Sequence, residues 1–301
     1  MSDQLRFGDV PARPPRGPLV APDGELIVSY GGGVNSVALL LALHDAGIRP
    51  RAITMADPGS ERAGTMTFRD GPMREWCVRV GFPEIIVLER RLVGIGRART
   101  WRLETLYDEC VRIESLPSVA YGWKKCSAKY KAEPQRWWCE VQPWVQEAWA
   151  AGRKIVKAIG YDLDEKRRVD ASANVEWKPA NESTRFASWY PLYELGLDRD
   201  GCLDLIAHHG FVAPPKSACT YCPNNTIDEW KQLRRDEPEA FAKALAMSEG
   251  ARLTAEDSTG LMRCNPRGAR QLHVWNAGGY PDLPPDDPEG LAEDMPCECA
   301  T

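Results

Sequence analysis

The sequence has no apolar run that approaches the roughly 20 residues needed to span a bilayer, and its N-terminus has no apolar signal-peptide core. These absences predict a cytoplasmic protein that makes no contact with a membrane. Positive charge is scarce as well, since 38 Lys and Arg against 43 Asp and Glu leave a net charge of −5. That balance argues against a generally basic nucleic-acid-binding protein, although a local basic face is compatible with it.

Histidine is rare, with four residues in the chain, and the sequence shows no internal repeat. His208, His209 and His273 have no partner spacing that indicates a catalytic triad, so we interpret them as structural or surface residues. Cysteine, in contrast, occurs ten times. Without an export signal these cysteines should be mostly reduced thiols, some buried by packing and some available as ligands of a metal or cluster.

Short apolar runs alternate with helical patterns over most of the chain. This alternation predicts an α/β fold with a doubly wound, mostly parallel, Rossmann-like sheet of five strands. We expect a poorly ordered, proline-rich arm over 1–24, the main domain over 25–210, and a cysteine-containing helical region with a tail over 211–301. Strands are predicted over 25–29, 51–56, 85–88, 154–159 and 186–190, and helices over 35–46, 61–80, 98–115, 127–151 (interrupted near Pro134 and Pro143), 226–234 and 237–249.

One stretch, ELIVSYGGGVNSVALLL at 25–41, places three consecutive glycines between an apolar strand and an apolar helix pattern. Glycines allow the backbone to approach an anion closely, and unpaired N–H groups at a helix N-terminus bind phosphate. The stretch has neither the Lys-Ser/Thr of a Walker loop nor the GxGxxG of a dinucleotide-binding fold. We predict a phosphate-binding turn; the alternative is a glycine turn that serves packing alone. The candidate binding residues are Ser29, Gly31, Gly32, Gly33, Asn35 and Ser36.

Two further segments follow predicted strands, where ligands bind in open parallel sheets. In ADPGSE, Asp57 and Glu61 could contact such a ligand, or could form an ordinary turn and helix start. In IGYDLDEKRR, Arg168 offers a planar two-point grip on phosphate, with Glu165 beside it. The alternative for this second segment is a solvated charged loop.

Three separated cysteine segments form a candidate ligand set. Cys219 and Cys222 make a CxxC, Cys202 lies 17 residues before it, and Cys126 stands in KKCSAKYKAEP. Four thiolates suit a [4Fe–4S] cluster or a structural Zn²⁺. Alternatively, Cys126 and Cys202 are packing thiols, and the CxxC is a redox pair or half of a zinc site.

The glycine stretch resembles the pyrophosphate loop of the adenine-nucleotide alpha-hydrolase (PP-loop) family, whose usual form is SGGxDS. Ser36 matches the final Ser, whereas Gly31 stands at the first Ser and Asn35 at the Asp. The resemblance implies that ATP binds on the loop, with Mg²⁺ near its β and γ phosphates. Asn35 supplies no negative charge for that metal. The family includes N-type ATP pyrophosphatases and the sulfonucleotide (PAPS) reductases.

The later segments carry the same resemblance. Residues 160–168 are similar to the family's Gly-x₄-Glu/Asp-x₂-Arg loop, with Glu165 and Arg168 at the matching positions. The cysteine segments resemble those of sulfonucleotide reductases and of the ATPase component of DNA phosphorothioation systems, where such cysteines hold an iron–sulfur cluster. In the reductases a Lys after the first cysteine points into the pocket, which implies Lys131 or Lys129 here. The catalytic candidates are therefore Arg168, Glu165 and Lys131.

These resemblances imply an ATP pyrophosphatase of the PAPS reductase family, in which an acceptor attacks the α-phosphate and the adenylated intermediate goes on to sulfur or nitrogen transfer. One alternative is thiol-dependent reduction of PAPS or an analogue by Cys299, where Ala300 replaces the Gly of an ECGLH-type motif and Cys297 is extra. Another is a nucleotide-binding sensor or assembly subunit without turnover, which Asn35 supports. Expected partners are an adenine nucleotide, a nucleic-acid or small-molecule acceptor, a sulfur-donor or DNA-modification protein, and a second copy of the chain.

Overall fold

The computed structural model describes residues 17–93, 101–123, 125–173, 182–251, 260–263 and 271–277. The rest of the predicted arm and the tail with Cys297 and Cys299 lie outside these residues. The strands are β1 (Glu25–Ser29), β2 (Ala52–Asp57), β3 (Ile85–Glu89), β4 (Arg91–Val93), β5 (Trp101–Leu103), β6 (Ile155–Ile159) and β7 (Phe186–Trp189). Five of them form one parallel sheet in the order β3-β2-β1-β6-β7, which confirms the predicted α/β class.

Helices connect the strands and cover both faces of the sheet. They are α1 (Val34–Asp45), α2 (Ala63–Phe68), α3 (Arg74–Val80), α4 (Leu106–Arg112), α5 (Lys125–Ser127), α6 (Glu133–Glu140), α7 (Pro143–Ala150), α8 (Lys166–Ala173), α9 (Glu182–Arg185), α10 (Pro191–Leu195), α11 (Arg199–His208), α12 (Ile227–Asp236), α13 (Pro238–Gly250) and α14 (Leu272–Asn276). None of these helices is long and apolar enough to cross a membrane.

Side chains of the central strand alternate between two hydrophobic clusters, because successive strand residues point to opposite faces of a sheet. Leu26 and Val28 of β1 pack in the cluster that α1, α3 and α11 close. Ile27, between them, packs in the cluster that α6 and α7 close. The apolar residues of β1 are therefore buried on both faces, as expected for a central parallel strand.

The strand order reverses at β1, which pairs with β2 on one side and with β6 on the other. Its last residue, Ser29, is in register with Thr54 of β2 and Ile159 of β6. In open parallel sheets, ligands bind outside the carboxyl ends of the strands at such a reversal. The glycine loop, residues 31–33, leaves β1 at this point.

The helices after residue 226 build another hydrophobic cluster with a helix from the middle of the chain. Trp230 of α12, Phe241 of α13 and Trp275 of α14 pack in one cluster with Leu106 of α4. The preceding segment, 211–226, contains no named helix or strand and passes the glycine loop. The domain boundary predicted at residue 210 stays a prediction.

Two of the secondary-structure predictions were wrong. The helix expected over 98–115 begins only after Thr105, whose side chain forms a capping box with Asp108, because the preceding β5 pairs with β4 as an antiparallel strand. Pro134 does not interrupt the helical stretch of 127–151. It follows a π-helical turn, Ala128–Ala132, and such a turn leaves backbone groups outside the regular hydrogen-bond ladder, where a missing N–H costs little.

Candidate functional site

The glycine loop has a geometry that only glycine permits at its centre. Gly32 has a φ of +82°, and a Cβ built there would lie 2.4 Å from Cγ2 of Thr65. Gly33 is the N-cap of α1 and provides no side-chain cap, while the Ser36 hydroxyl turns back and donates to the Gly33 carbonyl oxygen at 2.8 Å. The first-turn N–H groups of α1 therefore have no side-chain cap at the carboxyl edge of the sheet, an arrangement that suits an anion.

Asn35, in the first turn of α1, joins three loops through its side-chain amide. Its Nδ2 donates to Asp162 Oδ2 at 2.9 Å and to Glu165 Oε2 at 3.0 Å, and its Oδ1 accepts from Arg199 Nη1 at 3.3 Å. Both carboxylates are buried, with residual exposures of 2% and 8%. Burial raises the pKa of both groups, and the Asn35 hydrogen bonds oppose that rise. An amide at this position therefore satisfies two buried carboxylates that an Asp would repel.

The charged segment of 159–168 lies against the glycine loop. Gly160 allows this approach, since a Cβ there would lie 2.8 Å from the Asn35 carbonyl oxygen. Arg168 forms an ion pair with Glu165, and its guanidinium lies 4.4 Å from the centroid of the Tyr161 ring. The structure thus places Arg168 one contact away from Asn35, with Glu165 between them.

Asp57 ends β2 and Glu61 stands in the loop after it, and their carboxylates have different hydrogen-bond partners. The Asp57 carboxylate accepts the N–H of Gly59 at 2.7 Å and closes the turn after the strand, which is the alternative that the sequence left open. The Glu61 carboxylate contacts Ser217 Oγ at 2.9 Å, and the same hydroxyl is a hydrogen-bond donor to the Gly31 carbonyl oxygen. Ser217 therefore links the glycine loop to the segment before the CxxC.

Several residues of this site were not predicted. Arg199 begins α11 and Ser217 follows a Pro-Pro-Lys stretch; neither position carries a recognisable motif beyond its proximity to a predicted loop. Lys216 pairs with Glu229 at 3.0 Å, and Arg62 lies 3.9 Å from the same carboxylate. These cations bring positive charge to the segment that contacts the glycine loop.

Ser29 and Lys131 both contact Gln135 of α6, which lies one helical turn after Lys131. The Ser29 hydroxyl donates to Gln135 Oε1 at 2.8 Å, and the Gln135 amide donates to the Lys131 carbonyl oxygen at 3.2 Å. The Lys131 charge lowers the pKa of Cys219, against the larger effect of burial. The catalytic role expected of Lys131 stays a prediction.

Close to the loop after β2, Cys219 and Cys126 both contribute to the raised pKa of Cys110. Cys219 Sγ lies 2.8 Å from Ser60 Oγ, and burial raises the pKa of this thiol to about 12 while the Ser60 hydrogen bond opposes the rise. Burial likewise raises the pKa of Cys110 to about 12, with further contributions from Cys219 and Cys126. Cys222 is buried, and its N–H donates to the Cys219 carbonyl oxygen at 3.0 Å. Cys110 was not among the predicted residues, and its position on a short helix gave no spacing signal.

Cys202 has different neighbours from these thiols. It is fully buried in the cluster beneath α1, and its pKa is raised by burial and by the nearby Asp162. The structure therefore does not bring the four predicted ligands together. Within the described residues, no group of three or more His, Cys, Asp or Glu is arranged to hold a metal ion. The iron–sulfur or zinc ligand set stays a prediction.

Comparisons with known proteins add one finding. No protein-family model and no curated protein sequence matches the chain. Among solved structures, the U34-tRNA thiolase NcsA from Methanococcus maripaludis with its [4Fe-4S] cluster aligns with a TM-score of 0.41 and 15% sequence identity, over 85% of this chain and 83% of that chain.

Proposed function

We propose that this protein is an ATP pyrophosphatase that transfers an adenylyl group to an acceptor, which then takes up sulfur or nitrogen. The glycine loop carries this proposal: it joins β1 to a helix N-terminus without a side-chain cap, at the point where the strand order reverses. Phosphates bind at such helix ends through backbone N–H groups and the helix dipole.

The cations around the loop support a triphosphate ligand. Arg199 donates directly to Asn35, whereas Arg168 pairs with Glu165, which in turn accepts from Asn35. Both arginines therefore lie on the side of the loop that faces the segment after β6. Lys216 lies next to Ser217 on the other side. A guanidinium can bind two phosphate oxygens at once, and positive charge stabilises a departing pyrophosphate.

The proposed reaction is an in-line displacement at the α-phosphate. An acceptor oxygen forms a bond to the α-phosphorus, the bond from that phosphorus to the α,β-bridging oxygen breaks, and pyrophosphate leaves with the electron pair. A sulfur or nitrogen nucleophile then displaces AMP from the adenylated acceptor. The protein contributes positioning and charge, which dominate phosphoryl-transfer catalysis: the loop holds the phosphates, and Arg168 and Arg199 balance the charge of the leaving group.

The residues beside Asn35 fit a magnesium ion. Mg²⁺ is usually held by one or two carboxylates together with substrate phosphates, and Asp162 and Glu165 supply two carboxylates next to the loop. Bound there, Mg²⁺ would neutralise phosphate charge. These carboxylates come from the segment after β6 and take the place of the charge that Asn35 does not carry.

Product analysis tests the proposal. The purified protein is incubated with ATP, Mg²⁺ and candidate acceptors (RNA, DNA and small heterocycles), and pyrophosphate and phosphate are measured separately. We expect pyrophosphate in an amount equal to the sum of adenylated acceptor and free AMP, with a rate that falls sharply in Arg168→Ala. Arg167→Ala, which removes an exposed arginine from the same helix, is the matched control and should keep the rate.

Two outcomes would contradict the proposal. Release of phosphate and ADP would show cleavage at the γ-phosphate. ATP binding without turnover, with every acceptor, would instead identify a nucleotide-binding subunit.

A further inference from the structure

Two tyrosines stand at the carboxyl edge of the sheet, just after β6 and β7 end. The two strands pair in parallel with Ala158 opposite Trp189, and Tyr161 and Tyr190 follow these residues along the chain. The two tyrosine rings are stacked at an interplanar angle of 9°, with their centroids 5.5 Å apart. This separation is typical of an offset stack, in which each ring restricts the tilt of the other. The ends of two neighbouring strands therefore present one aromatic surface.

The Arg168 guanidinium lies over the ring of Tyr161. Its Cζ is 4.4 Å from the ring centroid, inside the roughly 6 Å over which a cation and an aromatic face attract each other. Tyr161 is 4% exposed and the Arg168 side chain is 17% exposed, so little water reaches the contact. Cation–π contacts are strongest when both groups are desolvated in this way. Tyr161 is therefore a major determinant of where the guanidinium lies.

The ion pair with Glu165 cannot hold Arg168 throughout the proposed reaction. Glu165 is one of the two carboxylates that fit Mg²⁺, and a guanidinium that binds a leaving pyrophosphate turns its N–H groups from the carboxylate to phosphate oxygens. Stacking uses the flat face of the guanidinium, whereas its hydrogen bonds are made in its plane. The ring of Tyr161 can therefore keep its contact while Arg168 changes its hydrogen-bond partner.

We propose that Tyr161 is a positioning residue for Arg168. Its ring, supported by Tyr190, holds the guanidinium in place while Arg168 exchanges Glu165 for the leaving pyrophosphate. Tyr161 acts through Arg168 and makes no contact of its own with the phosphates. This inference rests on the proposed function for the identity of the anion, but the effect of Tyr161 on anion binding can be measured without an acceptor.

The test is a calorimetric titration of the full-length protein with inorganic pyrophosphate in the presence of Mg²⁺. We expect Tyr161→Leu to weaken pyrophosphate binding about tenfold, whereas Tyr161→Phe, which keeps the ring, should retain most of the affinity. Tyr190→Leu should weaken binding about threefold, because it removes only the support of the ring. The matched control is Tyr193→Leu, which removes a half-buried tyrosine from α10 and should leave the affinity unchanged.

A double-mutant cycle separates positioning from a general structural role. In the Arg168→Ala background, Tyr161→Leu should cause no further loss of pyrophosphate affinity, because the group that it positions is absent. A ring that only supports the fold would add its own loss in that background. Thermal unfolding verifies that each variant is folded, and Tyr190→Leu takes the place of Tyr161→Leu in the cycle if the latter does not fold.

Equal pyrophosphate affinity of the wild type and Tyr161→Leu, in a protein whose affinity falls in Arg168→Ala, would overturn the inference and leave the proposed function standing. Additive losses from Tyr161→Leu and Arg168→Ala would also overturn the inference. A wild type that binds neither pyrophosphate nor ATP would overturn the proposed function and, with it, the inference.

Discussion

Replacement of Asn35 by Asp should destabilise the protein, although Asp stands at this position in the SGGxDS loop that the glycine stretch resembles. The Asn35 amide donates to Asp162 at 2.9 Å and to Glu165 at 3.0 Å. Hydrogen bonds to charged acceptors contribute about 1.5–3 kcal/mol each, and Asn35→Asp would remove both and add repulsion. Arg199 would gain a charged acceptor and offset part of this loss. We expect the free energy of unfolding to fall by about 3 kcal/mol, and Tm by roughly 5–10 °C.

The effect should depend on pH in a definite direction. Burial raises the pKa of Asp162 and Glu165, so the folded state binds protons more readily than the unfolded state. The resulting stabilisation is present at acidic pH and is lost as the pH rises through the raised pKa values. A third carboxylate would raise those values further. The difference in stability between the variant and the wild type should therefore be larger at about pH 7 than at about pH 5.

The assay is thermal and denaturant unfolding in metal-free buffer, because bound Mg²⁺ would mask the repulsion. The double variant Asn35→Asp, Asp162→Asn exchanges amide and carboxylate and should recover part of the lost stability. An Asn35→Asp protein as stable as the wild type at pH 7 would refute the reasoning. A loss of stability that does not change with pH would also refute it.

Three further predictions concern the cysteines and the C-terminal helices. Ser60→Ala removes a hydrogen bond that lowers the pKa of Cys219, so alkylation of this thiol at fixed pH should slow about fivefold, measured by mass spectrometry with Cys126 as internal reference. Cys202→Ala should cost about 1 kcal/mol of stability and leave the metal content of anaerobically purified protein unchanged; loss of iron or zinc would show that this buried thiol is a ligand. Thr226→Ala removes the capping box of α12 and should lower the free energy of unfolding by about 1 kcal/mol in denaturant titrations, whereas an unchanged midpoint would show that the cap is dispensable.

The sequence was sufficient to predict the parts of the fold that local patterns determine. The run of apolar residues in β1, the glycines after it and the helix that follows all lie where the pattern indicated, because each depends on neighbours in the chain. The pairing of β4 with β5 was missed, since an antiparallel contact between two three-residue strands leaves little periodicity.

The candidate site was predictable only where a motif marked it. Glu165 and Arg168 were predicted because they stand in a recognisable loop; the structure places Glu165 against Asn35 and Arg168 against Glu165. The role of Asn35 itself could not be predicted, because its partners lie 127 and 130 residues away. Arg199 and Cys110 belong to the site through packing of distant segments, which no local spacing reveals.

The central claim, that the glycine loop binds the phosphates of ATP, is tested most directly by calorimetric titration with an ATP analogue whose α,β-bridging oxygen is a methylene. Gly32→Ala would place a Cβ 2.4 Å from Thr65 at a φ of +82°. The control Gly47→Ala, just after the end of α1, imposes a similar backbone strain at a φ of +69°, but its Cβ would have no other atom within 4 Å. We predict one nucleotide per chain, with affinity weakened about tenfold or more in Gly32→Ala and unchanged in Gly47→Ala. Equal affinity in the two variants, or no binding by the wild type, would contradict the claim.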